Sequence, residues 1–545
     1  VKVVTAAEMR EIDRLAIEKF GVPSLDLMER AGAGAAELLV HVGLERGGKV
    51  TVICGKGNNA GDGFVAARYL KNWGASPTCW VISERDELTA DTLRNIVKAE
   101  DAGVSIRRYE ANESPEEFAE ELSEASFIID AMLGTGAKGK LREPIRGLAR
   151  LLNASGKRIL ALDIPTGMDA DSGGIDPDCV RATFTATFGF PKRGMYVRPG
   201  REVCGDVVVV DLEYPEESVG VTTGVLLWSE MPVLLPERDP RGHKGMFGRA
   251  LVIAGSTGLT GAACLASEGA LRSGTGLVKL LVPQRYQPVC ATRLTEIMTY
   301  GLPESKRGTF CAASVAAALP FIEEADAVLL GPGLSSLAPA RNFVRQLLPL
   351  IDKPLVLDAD GLNAIAGDDS EAADVLAEIP AILTPHPGEL SRLLGMTIEE
   401  LLRDQEASAR LAAETFGCEV IFKGAPSLIA SPDGEADLCS LGNDGMATAG
   451  SGDVLAGILV GLLAQGMPAD EAARLGTMVH SRAGDIAAGE FGRRGMIAGD
   501  MLRALPYVWR ELEGEGTVVS GDAETPESQE HAEEDADADD SDQVP

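Results

Sequence analysis

The sequence has no Cys-x-x-Cys pair; its nine cysteines (Cys54, Cys79, Cys179, Cys204, Cys264, Cys290, Cys311, Cys418 and Cys439) are odd in number and scattered. Neither a disulfide framework nor a zinc site is expected, and the compartment should be reducing. No window approaches the roughly 18 uncharged apolar residues that a membrane helix needs; the best run is residues 454–464. The opening VKVVTAAEMREID lacks the apolar core of a secretory signal, so a cytoplasmic chain with no membrane partner is expected. Positive charge is scarce: 50 Lys and Arg face 83 Asp and Glu, a net charge of −33. Such a surface repels nucleic-acid phosphates, which excludes a general nucleic-acid binder. From Glu511 onward there are 14 acidic residues and no Lys or Arg, leaving −19 for the body.

What is present is enough for two large domains or three small ones: 545 residues, 45% apolar. From Lys49 to Val210, β-rich runs (KVTVIC, TCWVIS, SFIIDAML, KRILALDI) alternate with helical patterns, the signature of βαβ units and a parallel sheet. Helices are predicted before it at 6–20 and 25–41, the first opened by Thr5 with Glu8 three residues on, a capping-box pattern. Prolines and glycines break the pattern around 214–239. A second series follows: RALVIAG, GLVKLLV, DAVLLGPG, PLVLDADG, AILTPHPGE and EVIFKG, ending in helical patterns at 453–465 and 470–488. The expected fold class is α/β, two three-layer αβα domains at 1–220 and 230–512. Residues 513–545 are too acidic and too poor in large apolar groups to offset chain entropy, and are expected to be a disordered tail.

In the first domain KVTVIC runs into GKGNNAGDGFVAARYL, read as a glycine loop that opens a helix and can admit a phosphate. Its spacing fits neither the dinucleotide fingerprint nor the P-loop. Asn58, Asn59 and Asp62 put polar side chains at a strand's carboxyl end, where open α/β sheets bind ligands. Asp130 and Asp163 end two further strands on the same predicted edge. Gly134, Gly136 and Gly139 satisfy G-x-G-x-x-G, a weak signal alone. Either Asp163 or Asp62 can handle a proton beside a bound pyrophosphate.

GNNAGDG, DAMLGTGAKG, LDIPTGMD and TFGFPKRGMY, in that order, resemble the motifs of the YjeF N-terminal domain, the NAD(P)H-hydrate epimerase, over about residues 1–215. The resemblance implies a potassium ion on Asn59, Asp130 and Thr166, where the family usually has Ser. It implies that the hydrated dinucleotide contacts Asn58, Asn59, Ala60, Gly61, Asp62, Gly134, Thr135, Gly136, Ala137, Lys138, Gly139, Lys140 and Asp163, with Asp163 catalytic.

The strongest signal of the second domain is NDGMATAGSGDVLAG. Gly450, Ser451 and Gly452 would expose consecutive N–H groups at a helix N-terminus, an anion hole for phosphoryl oxygens. Asp453 then projects a carboxylate that can accept a hydroxyl proton, or else merely caps the helix. GSTGLTGAA, GPGL, LDADGLN, TPHPGE and FKGAPS all follow predicted strands, extending the ligand edge. This series resembles the ADP- or ATP-dependent NAD(P)H-hydrate dehydratase of the ribokinase-like superfamily, over about 235–510. By that resemblance Lys423, Gly424, Ala425, Pro426, Ser427, Asn443, Gly445, Met446, Ala447, Gly450, Ser451 and Gly452 hold the adenine nucleotide with Mg²⁺. Ala262, Gly333, His386 and Asp453 face the hydrated nicotinamide, with Asp453 catalytic, and a homo-oligomer is expected. The whole chain would then epimerise R and S NADHX or NADPHX and dehydrate the S form with ADP or ATP. The alternatives are a ribokinase-like vitamin-precursor kinase in the second half and a non-catalytic dinucleotide-binding first half.

Overall fold

The computed structural model describes residues 1–109, 115–137, 139–221, 223–367 and 369–514. Lys138 and residues 515–545, which hold most of the expected tail, lie outside them. Among the described residues no helix is long and apolar enough to cross a membrane.

The first half runs α1 (Ala6–Glu18), α2 (Ser24–His41), β1 (Lys49–Cys54), α3 (Asn58–Trp73), β2 (Ser76–Val81), α4 (Ala90–Asp101), β3 (Ser105–Arg108), α5 (Pro115–Glu124), β4 (Phe127–Ala131), α6 (Ile145–Ala154), β5 (Arg158–Leu162), β6 (Phe184–Phe188) and β7 (Asp206–Val210). The capping box at α1 is formed: Thr5 accepts from the Glu8 amide, and Glu8 reaches back to the Thr5 amide. The strands make one parallel sheet in the order β3-β2-β1-β4-β5-β6-β7. Strand side chains alternate between faces. Val50, Val52 and Ile129 pack with Leu39, Phe64 and Ile96 of α2, α3 and α4. Ile53, Ile128 and Ile159 pack with Phe118 and Leu148 of α5 and α6. Three layers result.

The second half runs β8 (Thr223–Leu226), β9 (Arg249–Ile253), α7 (Thr260–Arg272), β10 (Leu277–Pro283), α8 (Gln287–Arg293), β11 (Met298–Leu302), α9 (Ala312–Glu323), β12 (Ala327–Leu330), α10 (Ala338–Leu347), β13 (Leu355–Leu357), α11 (Asp360–Ile365), α12 (Asp369–Ala377), β14 (Ala381–Leu383), α13 (Pro387–Leu394), α14 (Ile398–Arg403), α15 (Gln405–Phe416), β15 (Glu419–Phe422), β16 (Leu428–Ala430), β17 (Ala436–Cys439), α16 (Ser451–Ala464), α17 (Ala469–Phe491) and α18 (Ala498–Leu512). Its sheet is ordered β11-β10-β9-β12-β13-β14-β15-β16-β17-β8. It is parallel from β11 to β15, then turns through the antiparallel β15–β16 and β16–β17 pairs, which the sequence did not announce. Val252 and Leu280 bury against α7, α16 and α17 on one face. Leu251 and Val328 bury against Phe343 of α10 and Phe416 of α15 on the other.

The two halves are sewn together. Strand β8 lies between the two expected domains and forms the edge of the second sheet, parallel to β17. Lys2 bridges Gly224, with the Val3 amide donating to the Thr223 carbonyl at 3.0 Å. Arg193 pairs with Glu406 at 3.3 Å, while Arg198 and Arg201 donate to the Gly442 and Ser440 carbonyls.

Candidate active sites

In the first sheet the strand order reverses direction between β1 and β4, and the crevice outside their carboxyl ends is where such sheets take ligands. The turn there is only residues 55–57. Gly57 caps α3 in an extended conformation, so Asn58 to Gly63 form the first turns of the helix and not the loop expected from sequence. The glycines are there for packing: a Cβ on Gly61 would sit 2.5 Å from the Met28 sulfur, and one on Gly63 would sit 2.8 Å from the Ala131 Cβ.

That helix delivers the polar groups. Asn58 is exposed and accepts from the Thr89 hydroxyl at 2.8 Å. Asn59, Ala60 and Asp62 are buried. Burial, then the charges of Asp163 and Asp13, push the Asp62 carboxyl well above its ordinary range. Asp130 is fully buried at the end of β4. Its Oδ1 accepts from the Thr166 hydroxyl at 2.8 Å, and its Oδ2 from the Thr166 amide at 2.9 Å. Burial still raises it to about 6.

Asp163, in the left-handed region at φ 64°, follows β5. Its Oδ2 accepts from the Thr135 amide at 3.1 Å. A Cβ on Gly134 would lie 3.1 Å from that oxygen and 3.6 Å from the Asn59 Cγ, so Asn59, Gly134 and Asp163 share one corner. Ala137 closes the turn onto the Gly134 carbonyl at 3.1 Å, while Gly136, Gly139 and Lys140 are exposed.

In the second sheet the reversal falls between β9 and β12. Gly333, left-handed at φ 63°, would clash through a Cβ with Leu259 at 2.9 Å and approach the Ala262 Cβ at 3.1 Å, so Ala262 and Gly333 are neighbours. Three strand ends further along converge in charge. Lys423 after β15 pairs with Asp358 after β13 at 2.9 Å, and Asp358 also accepts from the Thr384 hydroxyl at 2.7 Å. Glu389 stands 3.9 Å from the same ammonium. His386 caps α13, its Nδ1 accepting from the Gly388 and Glu389 amides. Ser427 closes the 424–427 turn onto the Gly424 carbonyl at 3.2 Å.

Helix α16 points its N-terminus into this group. Its cap is Gly450, at φ 90°, which leaves Asp453 in the first turn with no capping duty. A Cβ on Gly452 would stand 3.4 Å from the Lys423 Nζ. Burial first, then Asp358, raises the Asp453 carboxyl to about 7. One of the three expected amides is turned away, since Ser451 donates to the Thr448 carbonyl at 3.3 Å. Asn443 orders the preceding segment: its side chain accepts from the Gly445 amide at 3.0 Å and donates to Asp485 at 2.9 Å. Met446 packs over Gly484 and Gly442, and Ala447 is exposed.

Each half is similar to a known family. A family described as NAD(P)H-hydrate dehydratase matches residues 250–507, and the YjeF-related protein N-terminus matches 24–194. A bifunctional NAD(P)H-hydrate repair enzyme of Moorella thermoacetica is 39% identical over 521 residues, 95% of this chain and 98% of the relative. The chain belongs to the bifunctional NAD(P)H-hydrate repair enzyme family. A Thermofilum pendens member is 37% identical, over 94% of this chain and 97% of its own length. An ADP/ATP-dependent NAD(P)H-hydrate dehydratase from Bacillus subtilis, crystallised with ATP and Mg²⁺, is 29% identical over 53% of this chain and 98% of its own, with a TM-score of 0.46.

Several residues of this repair enzyme escaped the sequence reading. Asp358 and Glu389 lie inside the quoted LDADGLN and TPHPGE segments, yet only the structure shows them around Lys423. His480, which had no suggestive neighbours in sequence, lies beneath the α16 N-terminus, and burial lowers it to about 4. Lys192, within TFGFPKRGMY, meets Asp163 Oδ1 at 2.6 Å. The residues fit the cations the family implies. Both amide atoms of Asn59 are buried with no hydrogen-bond partner, so its oxygen is free to ligate a potassium ion. Among the described residues no group of three or more His, Cys, Asp and Glu is placed to cage a metal. Mg²⁺ is commonly held by phosphate oxygens with one or two carboxylates, and Asp358 and Glu389 stand beside Lys423 at this edge.

Proposed function

We propose that the first sheet edge epimerises R and S NAD(P)HX and that the second dehydrates the S form with ADP or ATP. The hydrated ring carries a hydroxyl on the carbon bonded to the ring nitrogen. Such a carbon loses its configuration when the hydroxyl proton leaves and the carbon–nitrogen bond opens, and closure on the other face inverts it. Asp163 takes that proton, and Asp62, whose buried carboxyl holds its proton more firmly than usual, donates to the nitrogen. Asn59, Asp130 and Thr166 would hold a potassium ion, which would supply positive charge to this site. Asn58 to Asp62 and the 134–140 loop line its path.

At the second edge Asp453 accepts the same hydroxyl's proton as the oxygen attacks the terminal phosphoryl group, releasing AMP from ADP or ADP from ATP. Phosphate then leaves with the carbon–oxygen electron pair and takes up the proton released by the adjacent carbon, and the double bond returns. The α16 N-terminus and Lys423 neutralise phosphoryl charge, with Lys423 to Ser427 and Asn443 to Gly452 around the nucleotide. Mg²⁺, when bound, would supply further neutralisation. Ala262, Gly333 and His386 border the ring.

The observation that carries this reading is Asp453 in the first turn of α16, relieved of capping by Gly450 and set against Lys423. The test is recovery of 340 nm absorbance from mixed R and S NADHX with Mg²⁺, K⁺ and either nucleotide. Wild type should restore both forms, Asp453→Ala none, and Asp163→Ala only the S fraction on the enzymatic timescale. No recovery with either nucleotide, with a phosphorylated small alcohol accumulating in a parallel screen, would make the second half a vitamin-precursor kinase instead.

A further inference from the structure

A buried lysine is uncommon unless paired, and Lys192 is among the most enclosed side chains of the first half, with 1% of its side chain exposed. It sits on the segment after β6, within TFGFPKRGMY, none of whose residues is among the expected ligand contacts. Its ammonium has three partners: Asp163 Oδ1 at 2.6 Å, the Thr187 hydroxyl at 3.1 Å and the Phe188 carbonyl at 3.1 Å. Three donors thus meet three acceptors in fixed directions.

This arrangement divides the two oxygens of Asp163. Oδ1 faces inward to the ammonium. Oδ2 faces the crevice, where it accepts from the Thr135 amide and lies 3.1 Å from the place a Cβ on Gly134 would occupy. The backbone of Asp163 is itself held in the left-handed region, with its amide donating to the Ala186 carbonyl at 2.8 Å. Fold alone would be served as well by a pair of apolar residues at 163 and 192, because replacing both members of a buried ion pair is often neutral, whereas removing one partner is costly.

We propose that Lys192 is a positioning residue of the epimerase step, anchoring Oδ1 of Asp163 so that Oδ2 is presented to the substrate hydroxyl. This rests on the epimerase reading of the first half. Lys192 touches no substrate; it acts through Asp163, and Thr187 and the Phe188 carbonyl orient it in turn.

The experiment uses the full chain and follows R-to-S conversion of NADHX chromatographically without nucleotide. Dehydration of pure S-NADHX by the same preparation reports folding. Lys192→Met should lower kcat for epimerisation by about 10²-fold or more while KM moves less than about threefold. The Lys192→Met/Asp163→Asn double variant should be no slower than Asp163→Asn alone, because the two residues act as one unit. Epimerisation by Lys192→Met within about threefold of wild type, or multiplicative losses in the double variant, would overturn the proposal. Should Lys192→Met also lose dehydration, the near-isosteric Thr187→Val carries the test: a kcat loss of about tenfold with dehydration retained supports positioning, and an unchanged kcat overturns it. Failure of wild type to interconvert R and S would instead remove the epimerase reading itself.

Discussion

His480 on α17 places its Nε2 2.9 Å from the carbonyl oxygen of Ser451 and 3.2 Å from its hydroxyl, fixing the first residue of α16 from below. A carbonyl only accepts, so this nitrogen carries the proton. His480→Ala should cost about 1–3 kcal/mol of stability through the buried groups left unpaired. Denaturant unfolding measures this. Burial lowers His480 to about 4, so the unfolded chain binds the proton more readily. Its contribution to stability is therefore full at neutral pH and lost as pH falls from about 6.5 toward 4, and the variant should lose that part of the acid dependence.

Asp453 is raised to about 7, by burial and then by Asp358. A base must be ionised, so kcat/KM for dehydration should fall as pH drops below about 7. Asp358→Asn removes a like charge and frees Lys423, both of which favour the carboxylate. It should move this acid limb to lower pH. Asp453→Asn should lose at least about 10²-fold in rate at every pH.

Asn59 offers its buried oxygen without a partner. KCl should raise the melting temperature of the wild-type chain more than LiCl at matched ionic strength, because an ion bound only by the folded state stabilises it. Asn59→Ala should abolish the difference and the potassium dependence of epimerisation, with dehydration by the second half retained.

Gly63 and Gly57 lie in one motif and should answer differently. A Cβ on Gly63 meets Ala131 and Val52 at 2.8 and 3.3 Å, whereas one on Gly57 meets nothing within 4 Å. Gly63→Ala should cost about 1–3 kcal/mol by overpacking. Gly57→Ala should stay within about 0.5 kcal/mol. Urea midpoints separate the two.

The sheets were legible because strand periodicity and strand-end chemistry are local. KVTVIC, SFIIDAML and KRILALDI each became a strand, ending within a few residues of those expected at the edge, and Thr5 formed its capping box. Asn58 to Gly63 misled because glycine usually breaks helices, while here Gly61 and Gly63 are demanded by Met28 and Ala131, partners distant in sequence. The same reason hid Lys192, whose partner Asp163 precedes it by 29 residues across another strand. His480 was hidden likewise, 29 residues from Ser451. Local pattern reports what a residue can be; only the packed sheets report what it faces.

Strand β8 gives the order of the two halves a meaning. It closes the second sheet along β17, yet it is itself flanked by Lys2 and Val3 from the start of the first half. A nick between residues 213 and 222 would leave two pieces still held by backbone hydrogen bonds and by the Arg193–Glu406 pair. Transposing the halves, or supplying the second one from residue 230, would bare the β17 edge and leave an unpaired strand free to recruit another chain. The tandem is thus a single piece of masonry, with its keystone laid between the two rooms.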